Sequence, residues 1–273
     1  MACGGGRRHR SRQTGQVHGY EPSSYGDGFA DVYDAWYDQV TDVDACVSRL
    51  AALVPDGGAA LELGVGTGRL AIPLAGALAG RDATVTGVDS STSMRDLLRS
   101  KDGGEHVTMV AGDMAELSGA EPPLPAEPQF DVVFVAYNTL FNLIEPGAAE
   151  RCIAGAAARL VPSGRFVVEA FVPRPDPDGR RDEVGVSRMA TDELVLTATV
   201  HDPDKQTISG QHVQLTDGQV RLRPWFVRYL HPAQLDVAAA DAGLVLDQRH
   251  ADWSGSTFDE HCPVHVSVYR RPA

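Results

Sequence analysis

The stretch ELGVGTGR, residues 62–69, carries three alternating glycines between a short apolar run and a helical pattern. The run before it, AALEL at residues 59–63, is typical of a buried parallel strand. Glycines at this point let the backbone approach a ligand closely, and the following helix start presents free N–H groups. The spacing departs from a dinucleotide fingerprint, because Arg69 takes the place of the third glycine. It also departs from a phosphate-binding P-loop, since no Gly-Lys-Ser/Thr sequence follows.

Strand and helix patterns alternate on both sides of this loop. Strands are predicted at residues 59–63, 83–89, 106–113, 130–138 and 165–171, and helices at residues 29–54 (two patterns), 70–78, 91–100 and 146–160. The Pro-rich residues 119–128 predict a surface loop. Such a βαβ rhythm predicts an α/β fold with a parallel, Rossmann-like sheet that is covered by helices on both faces.

The pattern changes after residue 173. Alternating strands are predicted at residues 193–200, 207–215 and 219–230, separated by Asp-Pro-Asp and Thr-Asp-Gly turns, followed by a helix at 232–242 and strands at 244–247 and 264–269. The short turns predict an antiparallel β appendage inserted at about residues 184–230. We expect one domain over residues 21–273, preceded by a disordered basic tail at residues 1–20.

Composition limits the classes of partner. The 273 residues include 24 Lys and Arg against 37 Asp and Glu, which gives a net charge of −13. This balance does not favour binding to nucleic acid or to anionic lipid. The four cysteines form no C-x-x-C pair, so we expect reduced thiols and no metal site. No apolar run is long enough to span a bilayer, and we expect a soluble cytoplasmic protein.

The ends of four predicted strands resemble the motifs of the class I S-adenosylmethionine-dependent methyltransferases. Glu62 precedes the glycine loop, Asp89 ends the second strand in GVDSS, GDM follows the third at residues 112–114, and AYNT follows the fourth at 136–139. The resemblance implies S-adenosylmethionine as cofactor and a mostly parallel sheet with one antiparallel strand near the C-terminus. It implies that the cofactor is held by Glu62, Gly64, Gly66, Gly68, Arg69, Asp89, Ser90, Met94, Asp113, Met114 and Ala136.

In this family, the acid at Glu62 organises the pocket for the methionine part of the cofactor, and the acid at Asp89 takes both ribose hydroxyls. Asp113 and Met94 correspond to contacts with the adenine edge and face. Other roles stay open: Asp89 could cap a helix, Asp113 could cap a turn, and Met94 could belong to the core. Glu62 is the strongest assignment, because an acid inside a buried strand is costly without a partner.

Three stretches are candidates for the acceptor side, namely the aromatic residues within 25–37, the turn at residues 137–142 and the strand at residues 221–229. Tyr33 and Tyr37 lie one helical turn apart, so both phenols can share one face. Period-2 alternation places Arg221, Arg223, Trp225 and Tyr229 on one strand face, where two guanidinium groups could hold a phosphate or carboxylate, or simply face solvent. We predict substrate binding by Tyr25, Tyr137, Asn138, Arg221, Arg223, Trp225 and Tyr229. The catalytic candidates are Tyr33, Tyr37, Asn138 and Glu169, while no single histidine is favoured as a base.

These features predict a methyltransferase that acts on a small molecule. The YDAWY stretch at residues 33–37 is similar to the Y-D-x-x-Y start of N-methyltransferases of nucleotide-linked amino sugars, so the acceptor is expected to be an amine of secondary metabolism. Methyl transfer to oxygen or carbon is the alternative. A non-catalytic S-adenosylmethionine-binding module and a NAD oxidoreductase are less favoured. The sequence leaves a homodimer open.

Overall fold

The computed structural model describes residues 21, 23–37, 40–125, 127, 129–174 and 179–273. The helices are α1 (Ser24–Phe29), α2 (Tyr33–Tyr37), α3 (Val43–Leu53), α4 (Ala71–Ala77), α5 (Thr92–Ser100), α6 (Ala148–Arg159) and α7 (Pro232–Asp241), with short 3₁₀ turns at Gly104–His106, Leu117–Gly119 and Thr139–Asn142. The strands are β1 (Ala59–Leu63), β2 (Thr84–Asp89), β3 (Val107–Ala111), β4 (Phe130–Val135), β5 (Leu160–Phe171), β6 (Arg181–Met189), β7 (Glu193–Asp202), β8 (Thr207–Thr216), β9 (Gln219–Arg228), β10 (Val245–His250) and β11 (Val264–Arg270).

Seven strands form the main sheet in the order β10-β11-β5-β4-β1-β2-β3. Strands β1 to β5 pair in parallel, whereas β11 is antiparallel to both of its neighbours. The predicted Rossmann-like sheet with one antiparallel strand near the C-terminus is therefore confirmed. Strand order reverses at β1, between β4 and β2, and in open α/β sheets ligands bind at the carboxyl edge beside such a point.

Local signals explain where the helices next to this edge begin. The Asp42 side chain accepts from Ala45 N at 3.0 Å and caps α3. The Ser91 side chain accepts from Met94 N at 3.2 Å and caps α5. Both residues satisfy an N–H group that the helix leaves unpaired, so both helices begin directly after a short polar side chain.

The sheet separates two apolar cores. Leu61 and Leu63 of β1 pack with the α6 and α7 side, whereas Ala60 packs with the α3 and α4 side. This alternation follows from the period of two in a strand. Gly87 on β2 lets the glycine loop lie close, because a Cβ there would come within 2.7–2.8 Å of the Val65 side chain. The loop is thereby held against the end of the sheet.

The appendage is a separate four-stranded antiparallel sheet in the order β6-β7-β8-β9. It begins at Arg181, before the predicted start, because β6 is a strand that the sequence pattern did not reveal. Every residue of β6 is exposed, so the strand lacks the contrast between buried and exposed positions that normally identifies one. Within the sheet, Gly210 faces Trp225 so closely that a Cβ would lie 1.9 Å from the indole ring. The indole therefore lies flat over β8.

Two further expectations concern the ends of the chain and the membrane. The tail predicted at residues 1–20 lies outside the described residues. Among the helices that are described, none has both the length and the apolar character that crossing a bilayer would require.

Candidate active site

The glycine loop adopts a conformation that other residues rarely accept. Gly64, Gly66 and Gly68 have φ values of +69°, +57° and +80°. A Cβ at Gly64 would lie 2.3 Å from Thr139 Cγ2, whereas at Gly66 nothing lies within 4 Å. The loop is thus packed on one side and open on the other. Gly68 serves packing, because a Cβ there would meet Leu98 at 2.8 Å.

Asp89 ends β2 beside this loop and organises it. Its Oδ2 atom accepts from Gly66 N and its Oδ1 atom accepts from Ser91 N, both at 2.8 Å. Burial raises the pKa of the Asp89 carboxyl, while these two N–H groups oppose that shift. Since Ser91 provides the cap of α5, Asp89 is not needed for that purpose. Its carboxylate faces the cleft with lone pairs available for hydroxyl donors.

A cleft runs along the carboxyl edge of the sheet. Seven residues predicted to bind the cofactor line it, namely Gly64, Gly66, Asp89, Ser90, Met94, Asp113 and Met114. Met94 is only 2% exposed, so it also belongs to the core, as the alternative role allowed. Asp113 accepts from Ala115 N, so it also caps a turn. Ala136 is buried and does not line the cleft; its carbonyl accepts from Thr139 N at 3.1 Å. The cleft lies at the edge where open α/β sheets bind nucleotides.

Glu62 is buried and Arg69 is half-buried beside the loop, and each has buried polar atoms without a hydrogen-bond partner. These atoms are Glu62 Oε2, Arg69 Nε and Arg69 Nη1, whereas Arg69 Nη2 donates to Thr41 Oγ1 at 3.5 Å. Burial raises the pKa of Glu62 to about 8, although the charge of Arg69 opposes the shift. Buried polar atoms normally find partners, so the open atoms of this carboxyl and this guanidinium indicate a ligand with complementary charges. The ammonium and carboxylate of an amino-acid group satisfy both, which fits the methionine part of S-adenosylmethionine.

A second space, called the chamber here, opens from the cleft and is lined mainly by aromatic residues. Its lining consists of Tyr25, Tyr33, Tyr37, Tyr137, Asn138, Thr139, Asn142, Phe171, Ile208, His212, Trp225 and Val227. Tyr25, Tyr33, Thr139 and Asn142 line both spaces, so the two meet there. None of the described residues that line the second chamber is Asp, Glu, Lys or Arg. Six of its residues were predicted from sequence for the acceptor side, namely Tyr25, Tyr33, Tyr37, Tyr137, Asn138 and Trp225.

The tyrosines form a connected group of rings. Tyr33 and Tyr37 have ring centroids 4.9 Å apart, and Tyr37 lies 5.7 Å from Tyr137. Burial raises the pKa of Tyr33, Tyr37 and Tyr25 above the ordinary value and raises that of Tyr137 to about 12. The phenols therefore stay protonated near neutral pH. They can donate hydrogen bonds and present ring faces, but they are poor bases.

The turn after β4 holds two consecutive residues in the left-handed region. Tyr137 has φ +47° and Asn138 has φ +62°. Glu169 Oε2 accepts from Tyr137 N at 2.8 Å, and Asn138 Oδ1 accepts from Phe171 N at 2.6 Å. Glu169, predicted as an acid or base, does not line either space; the structure places it beneath the turn, where it braces Tyr137. Such strained pairs persist only where surrounding contacts hold them.

The structure does not bring Arg221, Arg223 and Tyr229 into the chamber. Arg223 is 1% exposed and makes a two-pronged ion pair with Asp31, at 2.7 and 2.9 Å. Arg221 pairs with the same carboxylate at 2.5 Å. Tyr229 is buried beyond the end of β9, with its hydroxyl 2.8 Å from His201 Nε2. The period-2 pattern correctly predicted that the two arginines share a face. It could not show that both would pair with Asp31 of the same chain.

Residues 23–37, called the N-terminal lid here, cover both spaces. Asp27, Asp31 and Asp34, spaced three or four residues apart, attach the lid to the rest of the protein. Asp27 accepts from Ser91 Oγ at 2.6 Å, and Asp34 accepts from Thr67 Oγ1 at 2.6 Å and pairs with Lys101 at 2.7 Å. Asp31 pairs with Arg221 and Arg223 of the appendage. The lid therefore connects α5, the glycine loop and the second sheet. It thereby places Tyr25 and Tyr33 over the junction of the two spaces.

His212 is the titratable residue of the chamber that the sequence did not single out. It lies opposite Arg223 in the β8–β9 register, and its ring lies 6.0 Å from that of Trp225. The signal that could have found it is the cross-strand pairing with Arg223 and its neighbour Trp225. That pairing becomes readable only once the hairpin register is known.

A Rossmann-like sheet with a cleft at its carboxyl edge, and a second chamber joined to that cleft, is typical of a group-transfer enzyme with a nucleoside cofactor. A family model described as a methyltransferase domain matches residues 60–164. The CcbJ methyltransferase from Streptomyces caelestis is 38% identical, with a TM-score of 0.81 over 93% of this chain and 100% of that chain. No curated protein matches the chain. The chain belongs to the S-adenosylmethionine-dependent methyltransferases, so the NAD interpretation is wrong.

Two further solved structures share the fold at lower identity. One is S-adenosylmethionine-bound CalS10 from Micromonospora echinaspora, described as an amino pentose methyltransferase involved in calicheamicin biosynthesis; it is 20% identical, with a TM-score of 0.62, over 88% of this chain and 96% of that one. The other is the sugar N-methyltransferase KedS8 from Streptoalloteichus sp. ATCC 53650, 18% identical with a TM-score of 0.64, over 97% and 100%. The enzyme is thus a methyltransferase that uses S-adenosylmethionine.

Proposed function

We propose that this enzyme methylates the nitrogen of a small-molecule amine in natural-product metabolism. The observation that carries the proposal is the aromatic chamber beside the cofactor cleft, with four tyrosines and Trp225. Ring faces attract an alkylammonium group, whereas a phosphate or carboxylate would be buried there without a cationic partner. CalS10 and KedS8, which share the fold, are described as acting on an amino pentose and on a sugar nitrogen, and this agrees with an amine acceptor.

The residues of this chain hold and orient the reactants. Glu62 and Arg69 would hold the amino-acid end of the cofactor, and Asp89 its ribose, while the cofactor supplies an electrophilic methyl group. Tyr25 and Tyr33 would enclose the junction and exclude water from it. Alignment and desolvation account for most of the acceleration that such a transfer needs. The phenols hold their protons and do not serve as the base that a hydroxyl acceptor would need.

A nucleotide-linked acceptor would extend out of the chamber. Arg221 and Arg223 are both engaged by Asp31, so a diphosphate would have to displace that carboxylate or remain outside. We therefore propose that the amine-bearing ring enters the chamber and any charged portion stays outside it. The acidic balance of the chain supports a small molecule over a nucleic acid, and we propose that the reaction takes place in the cytoplasm.

A panel assay tests the assigned chemistry. Purified enzyme and S-adenosylmethionine are incubated with amino sugars, cyclic secondary amines, sugar alcohols and phenols, and products are detected by mass spectrometry as a gain of one methyl group. We expect turnover with amines and none with the matched alcohols. Turnover of hydroxyl acceptors alone would contradict the nitrogen assignment. Binding of S-adenosylmethionine without turnover of any acceptor would contradict the proposed acceptor class.

We also propose that two copies of the chain pair through the outer face of the appendage sheet. Val186, Leu196, Val213 and Leu222 are aligned across all four strands on the face opposite His212. Val184 is 73% exposed and Leu222 is 60% exposed. Four strands about 4.8 Å apart and about 33 Å long present roughly 630 Å² per copy, so a pair buries about the amount of a standard stable interface.

The substitution Leu222→Lys is expected to convert the dimer to a monomer. A charge placed in an apolar interface loses its hydration without a partner, and twofold symmetry introduces that charge on both copies. Sedimentation equilibrium measures the change. The control is Val245→Lys, at a position on β10 that is 52% exposed and outside the appendage. A wild-type protein that is monomeric at tens of micromolar would contradict the interface.

A further inference from the structure

We propose that His212 accepts the proton that the acceptor amine must lose, and that Thr197 and Ser187 pass a proton on to solvent. The inference rests on the proposed amine acceptor. An amine of ordinary basicity is protonated at neutral pH and has no lone pair with which to attack. The enzyme therefore needs a group in the chamber that can take this proton.

The chain of groups crosses three neighbouring strands. His212 on β8 lines the chamber, and its Nδ1 atom lies 2.6 Å from Thr197 Oγ1 on β7. Thr197 Oγ1 is in turn hydrogen-bonded to Ser187 Oγ on β6. Thr197 stands directly opposite His212 in the register, and β6 is an edge strand whose residues are all exposed. The chain thus runs from the chamber to the solvent edge of the sheet.

Aromatic contacts hold the imidazole in place. The His212 ring meets Phe29 and Trp36 edge-on, each at 5.6 Å between ring centroids. Its Nε2 atom has no hydrogen-bond partner among the described residues, while Nδ1 is occupied by Thr197. When Nδ1–H donates to Thr197, the lone pair of Nε2 is free to accept from a ligand in the chamber.

The charges around His212 keep the imidazole neutral. Burial lowers the pKa of His212, and the positive charge of Arg223 on β9 lowers it further. Asp31 on the lid is paired with Arg223, and the other groups that face the chamber from the lid and the β4 turn are Tyr25, Tyr33, Tyr37 and Tyr137. These phenols are uncharged near neutral pH. A neutral imidazole in this position is ready to act as a base.

Each proton and each bond is accounted for in the proposed reaction. The acceptor ammonium gives one proton to His212 Nε2, and the freed nitrogen lone pair forms the bond to the methyl carbon as the sulfur–carbon bond breaks. His212 Nδ1 gives its proton to Thr197 Oγ1, Thr197 gives its own to Ser187 Oγ, and Ser187 releases one to water. One proton leaves for each methyl group transferred, and His212 is then neutral with its proton on Nε2. Loss of that proton to water, with one proton returning from Ser187 through Thr197 to Nδ1, restores the starting tautomer.

Other groups near the chamber are less suited to this task. The raised pKa values of the tyrosines mean that they hold their protons. Glu169 already accepts from Tyr137 N and does not line the chamber. Among the described residues that line it, His212 is the one whose ordinary pKa lies near neutrality.

The test uses two acceptors, a cyclic secondary amine from the panel with a pKa near 9 and an added aromatic amine of the aniline type with a pKa near 5. For the basic amine, we expect His212→Gln to lower kcat about 100-fold at pH 7, with the loss shrinking as pH rises toward the pKa of the amine. For the weakly basic amine, which is neutral already, we expect less than a threefold change. Added imidazole should restore activity to His212→Ala.

Thr197→Val removes one hydroxyl of the chain and keeps the shape of the residue. We expect kcat for the basic amine to fall about tenfold, with unchanged KM for S-adenosylmethionine. The matched control is Thr199→Val, on the same strand and face but outside the chain, and it should behave as the wild type. Thermal unfolding and S-adenosylhomocysteine binding verify that each variant is folded.

Equal losses for both amines, or a loss that does not change with pH, would show that His212 only shapes the chamber and would overturn the relay. Normal kcat in Thr197→Val would overturn the path through Thr197. If the wild type methylates no amine at all, the proposed function fails instead, and that result is seen before any variant is made.

Discussion

Replacing Asp89 by alanine is expected to weaken S-adenosylmethionine binding about 100-fold or more. We propose that the carboxylate accepts from both ribose hydroxyls, and each hydrogen bond to a charged group contributes about 1.5–3 kcal/mol. The substitution also frees Gly66 N and Ser91 N, which now donate to Asp89 at 2.8 Å. Loss of these two contacts disorganises the loop that forms one wall of the cleft. Isothermal titration calorimetry measures the change in Kd.

The control for this variant is Asp96→Ala. Asp96 lies on α5, the same helix as the cleft residue Met94, but it does not line the cleft and forms an exposed pair with Arg99 at 3.2 Å. Exposed pairs contribute little, so its binding and stability should match the wild type. A Kd in Asp89→Ala within a factor of three of the wild type would contradict the role of Asp89 at the ribose.

S-adenosylhomocysteine is expected to bind more tightly as the pH rises from 6 to 7.5, by about 30-fold in total. Burial raises the pKa of Glu62 to about 8 in the free protein, so this carboxyl carries a proton over that range. The ligand ammonium favours the carboxylate, and binding must therefore expel the proton. Affinity then rises toward tenfold per pH unit until the pH reaches the raised pKa. Calorimetry in buffers of different ionisation enthalpy counts the released proton.

Two comparisons isolate Glu62 in this experiment. In Glu62→Gln no proton is released by this side chain, so the pH dependence should disappear and the affinity at pH 7.5 should fall. Methylthioadenosine has the adenosine part but lacks the amino-acid end, so its binding to the wild type should not change with pH. Equal pH dependence for both ligands would show that another titrating group is responsible.

The cofactor side could be predicted from sequence because its signals are local. The glycine loop, Asp89 and residues 112–114 each follow a strand directly, and parallel strands bring their carboxyl ends to one edge. Seven of the eleven residues predicted to bind the cofactor line the cleft. Glu62 and Arg69 are two more of these eleven residues, and their unpaired atoms are available to bind a ligand.

The acceptor side depended on contacts between distant segments. Arg223 shares a face with Trp225, as its spacing predicted, but Asp31 lies 192 residues away and occupies its guanidinium. Glu169 looked like an acid or base because it interrupts an apolar strand. The structure shows a different reason for the interruption, since Tyr137 N needs an acceptor where the turn enters the left-handed region.

The chain's own pattern of apolar periodicity, glycines and strand-end acids was enough to determine a class I methyltransferase sheet and the cleft at its edge. Folding decided which carboxylate neutralises which arginine, which strand neighbours His212, and which tyrosines close the junction. The difference is physical. Backbone geometry and strand polarity are set by residues a few positions apart, whereas a side chain's partner is selected by free energy among all groups that the fold brings within reach.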